Sequence, residues 1–278
     1  RAAIRDRLSM QASAQAFASM MIVTTIAPII APTLGAWVLS VFEWQYIFAL
    51  LMLVGVLCLG CVHFFFEETL PVERRLKLNF KQIISLYSAI FQDDSFRKPM
   101  LAGCFSGAVL FCYISGSSAI LMDEYGFSQQ NFAYIFGGNA LGIMLFSTLN
   151  KKLANRFNVL QRLQFGNIIQ LIGVMVLLVL AIMQQASLYG VLFGMFLCVA
   201  SIGFTGPNAM ALAMSEQGAR AGTASAIMGS AQFACGLLGG ALLSVLIWQP
   251  LLNMAIIMLL FVGAAMYSIQ QLKASIQA

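Results

Sequence analysis

Long apolar runs, separated by polar gaps, recur from one end of the chain to the other. Eight are read: about Ser13 to Phe42, Gln45 to Phe66, Pro99 to Met122, Asn131 to Leu149, Leu163 to Met183, Leu188 to Met214, Gly222 to Ile247 and Leu251 to Ile269. Roughly 20 apolar residues suffice for a helix to cross a hydrocarbon core about 30 Å thick, so each run predicts a transmembrane helix. The first and sixth are long enough to tilt or protrude. Alternating segments of about ten residues, which would mark a membrane β-barrel, are absent. One connection is long, from Glu67 to Lys98, and opens with the mixed charges of "EETLPVERRLKL". It continues through Leu78, Phe80, Ile83, Ile84, Tyr87, Ile90 and Phe91, whose later members follow helical spacing and predict an amphipathic helix on the membrane or against the span ends. This segment divides the spans two from six, and the chain begins at Arg1. A fragment whose earlier spans lie outside it is therefore expected, organised as 1–66, a linker at 67–98 and a six-helix half at 99–278.

Composition agrees with a polytopic membrane protein. Of 278 residues, 60% are hydrophobic and 9% charged, and the mean hydropathy is +0.88, against about 25% charged in soluble domains. All 15 Lys and Arg lie before the first run or after an even-numbered one, while the other gaps hold only Glu43, Asp123 and Glu124 as charges. The positive-inside rule then puts both ends of the chain in the cytoplasm and Trp44 and Trp248 at the opposite face. The net charge of +5 is thus a topology signal, and no nucleic-acid partner is expected. Cys58, Cys61, Cys104, Cys112, Cys198 and Cys235 fall within spans as small apolar residues. Cys58 and Cys61 form a C-x-x-C with only His63 nearby, so no metal site is expected.

"IAPIIAPTLGAW" places Pro28 and Pro32 inside the first run, where each costs about 3 kcal/mol in an ordinary helix interior. Ala27, Ala31 and Gly35 recur every four residues as a small-residue face beside the prolines, which permits close approach of another helix. Such a packed bend is either a gate that parts between states or a static kinked face. Gly222, Gly229 and Gly236 repeat every seven residues and Gly236 and Gly240 form a GxxxG, a second small face, with Gly138 and Gly142 a third. Polar and aromatic groups within spans, Phe105, Ser106, Phe111, Tyr113, Ser115, Ser117, Ser118, Asn139, Asn208 and Gln232, are candidates either for helix–helix bonds or for substrate contact. Acidic and basic residues are absent from the middle of every span, where they would mark an ion path. Clustered catalytic side chains and filter loops or charge rings are absent too, which sets aside a lipid-modifying enzyme and a channel.

"VTTIAPIIAPTLGAWVL" with "WQYIF", then "EETLPVERR", "GPNAMALAM" and "RAGTASAIMGSAQFACGLLGGALLS", resemble in that order the second part of the Bcr/CflA multidrug efflux transporters of the major facilitator superfamily. The resemblance implies an all-α polytopic fold of twelve spans in two halves, of which this chain supplies spans five to twelve, with Arg1 to Asp6 ending the fourth. It implies export of drugs or other small amphiphilic compounds from a bacterial inner membrane by proton antiport with alternating access. No cofactor is needed beyond the proton gradient, the partners are drug-like molecules, protons and the bilayer, and a monomer is expected. Ala31, Pro32, Thr33, Leu34, Gly35 and Ala36 align with the antiporter signature Gly-Pro-x-x-Gly-Gly, two of whose glycines are alanine here, and the resemblance favours the gate. The fold implies that Phe105, Tyr113, Ser117, Asn139, Asn208 and Gln232 are cavity candidates, Tyr113, Ser117 and Asn208 foremost. "NKKLANRFNVLQRL" resembles the second copy of the superfamily's cytoplasmic loop motif, with Asn155 where Asp is common and Arg156 retained. The proton-binding carboxylate is expected in the first span of the complete protein. A superfamily transporter for one metabolite, such as a sugar or amino-acid exporter, and a non-functional fragment are the alternatives.

Overall fold

The computed structural model describes residues 30–31, 33–66, 80–184, 187–217, 220–246 and 248–277, and helix is the only regular structure among them. Seven helices among the described residues are long and apolar enough to span a membrane. They coincide with the second to eighth runs to within a few residues. Most of the first run, with Ala27, Pro28 and Pro32, lies outside the described residues, and residues 33–41 of it are helical. The labelled helices are α1 (Gln45–Phe65), α2 (Phe80–Gln92), α3 (Asp94–Ser118), α4 (Gln129–Leu153), α5 (Val159–Ile182), α6 (Leu188–Ala200), α7 (Ile202–Met214), α8 (Ala221–Val245) and α9 (Pro250–Gln277).

The chain divides into two compact units, one of residues 1–79 and 129–137 and one of residues 80–128 and 138–278. In the first, α1 is apolar between Gln45 and His63 and has no buried residue. At its start Phe42 packs on Tyr46 with ring centroids 5.0 Å apart, and Trp44 meets Phe48 edge-on at 5.9 Å, an aromatic grouping suited to a membrane interface.

The second unit is a bundle built on α3, which packs against α7, α8 and α9, while α5 packs against α6, α7 and α9. α2 is the amphipathic helix expected in the long connection. Its Ile90 is fully buried, while Ile84, Tyr87 and Phe91 stay exposed and line an apolar cleft with Ile227. The α2–α3 corner is fixed by Asp93, whose carboxylate accepts from the Ser95 backbone N–H at 3.0 Å, the Ser95 hydroxyl at 2.7 Å and Gln217 Nε2 at 2.8 Å. These bonds, the Ser95 hydroxyl first, hold the Asp93 carboxyl below its ordinary value, against a smaller opposing effect of burial. Asn158 starts α5 with a reciprocal capping box to Gln161, which satisfies two of the helix's orphan donors. At its far end α3 widens into a π-helical turn, Ala119–Glu124, followed by Gly126 at φ +69°, a left-handed conformation that glycine adopts without cost.

Two features depart from the uniform spans read in the sequence. The sixth run crosses as Leu188–Met214 with an irregular turn at Ser201 between α6 and α7, where the Ser201 hydroxyl donates to the Cys198 carbonyl at 2.8 Å. Within α7, Pro207 has no N–H to give the carbonyl four residues earlier, and Asn150 Nδ2 of α4 donates to that Gly203 oxygen instead, at 3.4 Å. α4 comes this close because residue 203 is glycine. A Cβ there would lie 2.5 Å from the Ile143 carbonyl and 2.6 Å from the Ser147 nitrogen.

Candidate functional site

The seam between α3 and α8 is built from two rows of residues, each spaced by four. Gly103 lies opposite Met228, Gly107 opposite Gln232, Phe111 opposite Gly236 and Ser115 opposite Gly240. Both sequences advance together, so the two helices run parallel. Their i±4 ridges meet, with glycine supplied by α3 in the first half of the seam and by α8 in the second. The fit is tight. A methyl group added at Gly236 would come within 2.6 Å of the Phe111 ring, and one at Gly107 within 3.0 Å of Gln232 Nε2. Gly222 and Gly229 fall off this four-residue row and face open space, because a spacing of seven does not follow an i±4 ridge. On α4, Gly142 meets Phe196 and Ala200 of α6, whereas Gly138 is open.

Behind this seam lies a buried polar cluster. Gln170 of α5 is fully buried, with Ser106 and Thr205 each 1% exposed. Ser106 Oγ lies 2.9 Å from Gln170 Oε1 and 2.6 Å from Thr205 Oγ1. An amide oxygen only accepts and each hydroxyl has one proton, so Ser106 donates to Gln170 and Thr205 donates to Ser106. Gln170 Nε2 donates to the carbonyls of Ser106 at 3.2 Å and Cys198 at 3.3 Å. Four helices, α3, α5, α6 and α7, are thereby joined through uncharged groups. Nearer the far end of α3, Asn139 Nδ2 donates to the Tyr113 hydroxyl at 2.8 Å, with both residues buried. At the opposite end Arg162 donates to Asn150 Oδ1 at 2.9 Å, and Asn208 Nδ2 donates to the same oxygen at 2.9 Å.

The cavity candidates are thus distributed rather than gathered. Tyr113 and Asn139 pair, Ser117 is fully buried one turn beyond Tyr113, and Gln232 lies on the Gly107 seam. Phe105 stacks obliquely on Phe261 at 6.3 Å, and Asn208 belongs to the Asn150–Arg162 cluster. In the first unit, Ala31 is exposed, Ala36 is half-buried, and an added Cβ at Gly35 meets nothing within 4 Å. Asn155 and Arg156 are exposed in the turn after α4. Gln170, Thr205 and Asn150 were not singled out by the sequence reading. For Gln170 and Thr205 a signal was present all the same, as polar side chains in apolar helices, where an unpaired one would be costly, whereas Asn150 sits beside Lys151 and Lys152 and carried none.

An open recess of about 380 Å³ continues the seam beyond Ser115 and Gly240, lined also by Ser244, Trp248 and Asn253. Asn253 Nδ2 donates to the Leu246 and Trp248 carbonyls at 3.1 and 3.0 Å, while its buried Oδ1 has no hydrogen-bond partner. The recess therefore offers two hydroxyls and an indole face, while the unpartnered Asn253 Oδ1 is enclosed.

A sequence profile described as Major Facilitator Superfamily matches residues 1–240. The chain is similar to the uncharacterized MFS-type transporter YdgK of Bacillus subtilis (strain 168), 30% identical over 231 residues, which cover 82% of this chain and 57% of that protein. It is also similar to a bicyclomycin resistance protein homolog of Haemophilus influenzae, 27% identical over 243 residues, covering 87% and 61%. A third relative is the multidrug resistance protein MdtL of Klebsiella pneumoniae subsp. pneumoniae, 27% identical over 263 residues, covering 92% and 63%. The chain spans roughly six-tenths of the length of these relatives. With an all-α polytopic architecture and a profile match over most of its length, this chain belongs to the Major Facilitator Superfamily.

Proposed function

We propose that the protein exports drugs or other small amphiphilic compounds across a bacterial inner membrane by proton antiport with alternating access. The observation that carries this reading is the similarity over more than four-fifths of the chain to relatives named for bicyclomycin and multidrug resistance. The bundle's chemistry supports it: its interior polar groups are amides and hydroxyls, and the recess on the α3–α8 seam combines neutral acceptors with Trp248. Such a lining suits organic cations and neutral amphiphiles, which acceptor oxygens and an aromatic face hold without a buried counter-ion.

On the charge asymmetry of the loops, both ends of the chain lie in the cytoplasm, so the recess opens on the outer face and serves as an exit-side contact. The Ala31-Pro32-x-x-Gly35 stretch acts as the bend at which its span repacks between states. The test is accumulation of a broad dye and antibiotic panel in cells expressing the gene, with and without a protonophore. Lower accumulation than in empty cells, reversed by the protonophore, is the expected result. Equal accumulation across the panel refutes drug efflux, and an effect restricted to one metabolite replaces it with a dedicated exporter.

A further inference from the structure

Asn167 on α5 is 2% exposed, and its Nδ2 has no hydrogen-bond acceptor. The residue lines a cleft of about 260 Å³ between α5 and α9, with Gln164, Phe165 and Ile168 on one wall and Met266, Ile269 and Gln270 on the other. Helix ends, caps and the glycine contacts do not reach this amide. In hydrocarbon no water is at hand to replace them.

Three observations identify what supplies the acceptor. First, the cleft lies on the outside of the bundle, where Phe165 and Ile168 are 38% and 47% exposed, so its natural occupant is lipid. Second, depth is graded. At 1.5 Å per residue, Gln164 of α5 and Gln270 of α9 lie within roughly 10 Å of the helix ends Val159 and Gln277, and Asn167 lies one turn deeper. The amide groups therefore sit at and just below the membrane boundary, with the apolar walls continuing inward. Third, the exposed Lys273 follows Gln270 by one turn toward the same end, and Lys151, Lys152, Arg156 and Arg162 lie at that end of the bundle as well. From outside inward, the sequence of chemistries is cation, amide donors, then hydrocarbon-facing side chains. A glycerophospholipid has the complementary order: phosphate, ester carbonyls, acyl chain.

We infer that the α5–α9 cleft binds one anionic glycerophospholipid, with an ester carbonyl accepting from Asn167 Nδ2, the acyl chain on Phe165, Ile168 and Met266, and the phosphate toward Gln270 and Lys273. This site is separate from the α3–α8 seam and does not depend on what the protein transports. Positive charge near the surface selects anionic over zwitterionic headgroups.

Native mass spectrometry of the purified protein, titrated with phosphatidylglycerol or phosphatidylcholine, tests it. One phosphatidylglycerol is expected to survive on each chain after phosphatidylcholine has been stripped. Asn167→Leu is expected to weaken that retention about tenfold, the worth of one well-placed hydrogen bond in a dry site. Lys273→Gln should abolish the preference between the two headgroups. Should Asn167→Leu fail to fold, Gln270→Leu changes an exposed residue of the same cleft and should also weaken retention. Equal retention by the wild-type protein and these variants, or equal retention of the two lipids by the wild-type protein, overturns the inference.

Discussion

Gln170→Leu isolates the contribution of the polar cluster at the centre of the bundle. The two side chains are close in size, so the change removes hydrogen bonds without opening a large cavity. Three bonds are lost: Ser106 Oγ to Gln170 Oε1 at 2.9 Å, and Gln170 Nε2 to the Ser106 and Cys198 carbonyls at 3.2 and 3.3 Å. No acceptor left behind is orphaned, and the Ser106 hydroxyl proton, which loses Gln170, can turn to a carbonyl one turn back in α3. Ser106 keeps Thr205 at 2.6 Å, the Cys198 carbonyl keeps the Ser201 hydroxyl at 2.8 Å, and the Ser106 carbonyl lies within the α3 ladder. Interhelical hydrogen bonds in membrane proteins average about 0.6 kcal/mol each, so the expected loss is about 2 kcal/mol, a factor of roughly 30 in the unfolding equilibrium. Unfolding can be followed by a thiol-reactive dye once the exposed Cys58 and Cys61 are replaced by serine, because Cys104, Cys112, Cys198 and Cys235 are all buried and report when the bundle opens. A change below about 0.5 kcal/mol would show that the cluster does not join the helices. A loss above about 4 kcal/mol would show that the substitution leaves a buried group unsatisfied, which would refute the bonding scheme.

Other outcomes follow from the same packing. Gly203→Ala should destabilise the bundle by about 1–3 kcal/mol or more, because its Cβ meets the α4 backbone at 2.5 Å. Gly229→Ala, which meets nothing within 4 Å, should be neutral or stabilise by up to about 1 kcal/mol through helix propensity; paired thermal unfolding curves check both. Because the folded Asp93 carboxyl lies below its ordinary value of 3.8, the unfolded chain binds the proton more readily. The α2–α3 corner should therefore keep its full stability above that value and lose it as pH falls through the depressed one. Asp93→Asn should flatten this acid limb in a pH series of melting curves. Gly35→Leu should abolish transport while membrane insertion persists, measured as dye efflux beside protein level in isolated membranes; retained transport would leave the bend a static kink.

The spans were legible because hydropathy over about 20 residues decides membrane insertion, and insertion does not depend on which neighbour each helix meets. Contacts between helices were far less legible. The spacing of Gly222, Gly229 and Gly236 looks like one packing face, but α3 meets α8 along a four-residue ridge through Gly236 and Gly240, with Gly239 against Cys112 beside it. The irregular turn at Ser201 lies within an uninterrupted apolar run, and the hydroxyl that bonds back to Cys198 there leaves no local pattern to read. Asn208 is a cavity candidate because it is polar within a span that the family resemblance makes cavity-lining. Its partner Asn150 lies 58 residues away at the end of α4, a pairing that no local pattern encodes. The Ser106–Gln170–Thr205 cluster is concealed in the same way, each member being an isolated polar residue until three helices come together.

Reconstitution of the purified protein into liposomes tests proton-coupled drug export most directly. With an imposed pH gradient, inside acidic, and transporters whose loops face outward, a fluorescent organic cation should accumulate inside against its own gradient as protons leave, and a protonophore should collapse both fluxes. Drug movement that ignores the gradient, or a gradient that decays at the same rate with and without drug, would contradict the account.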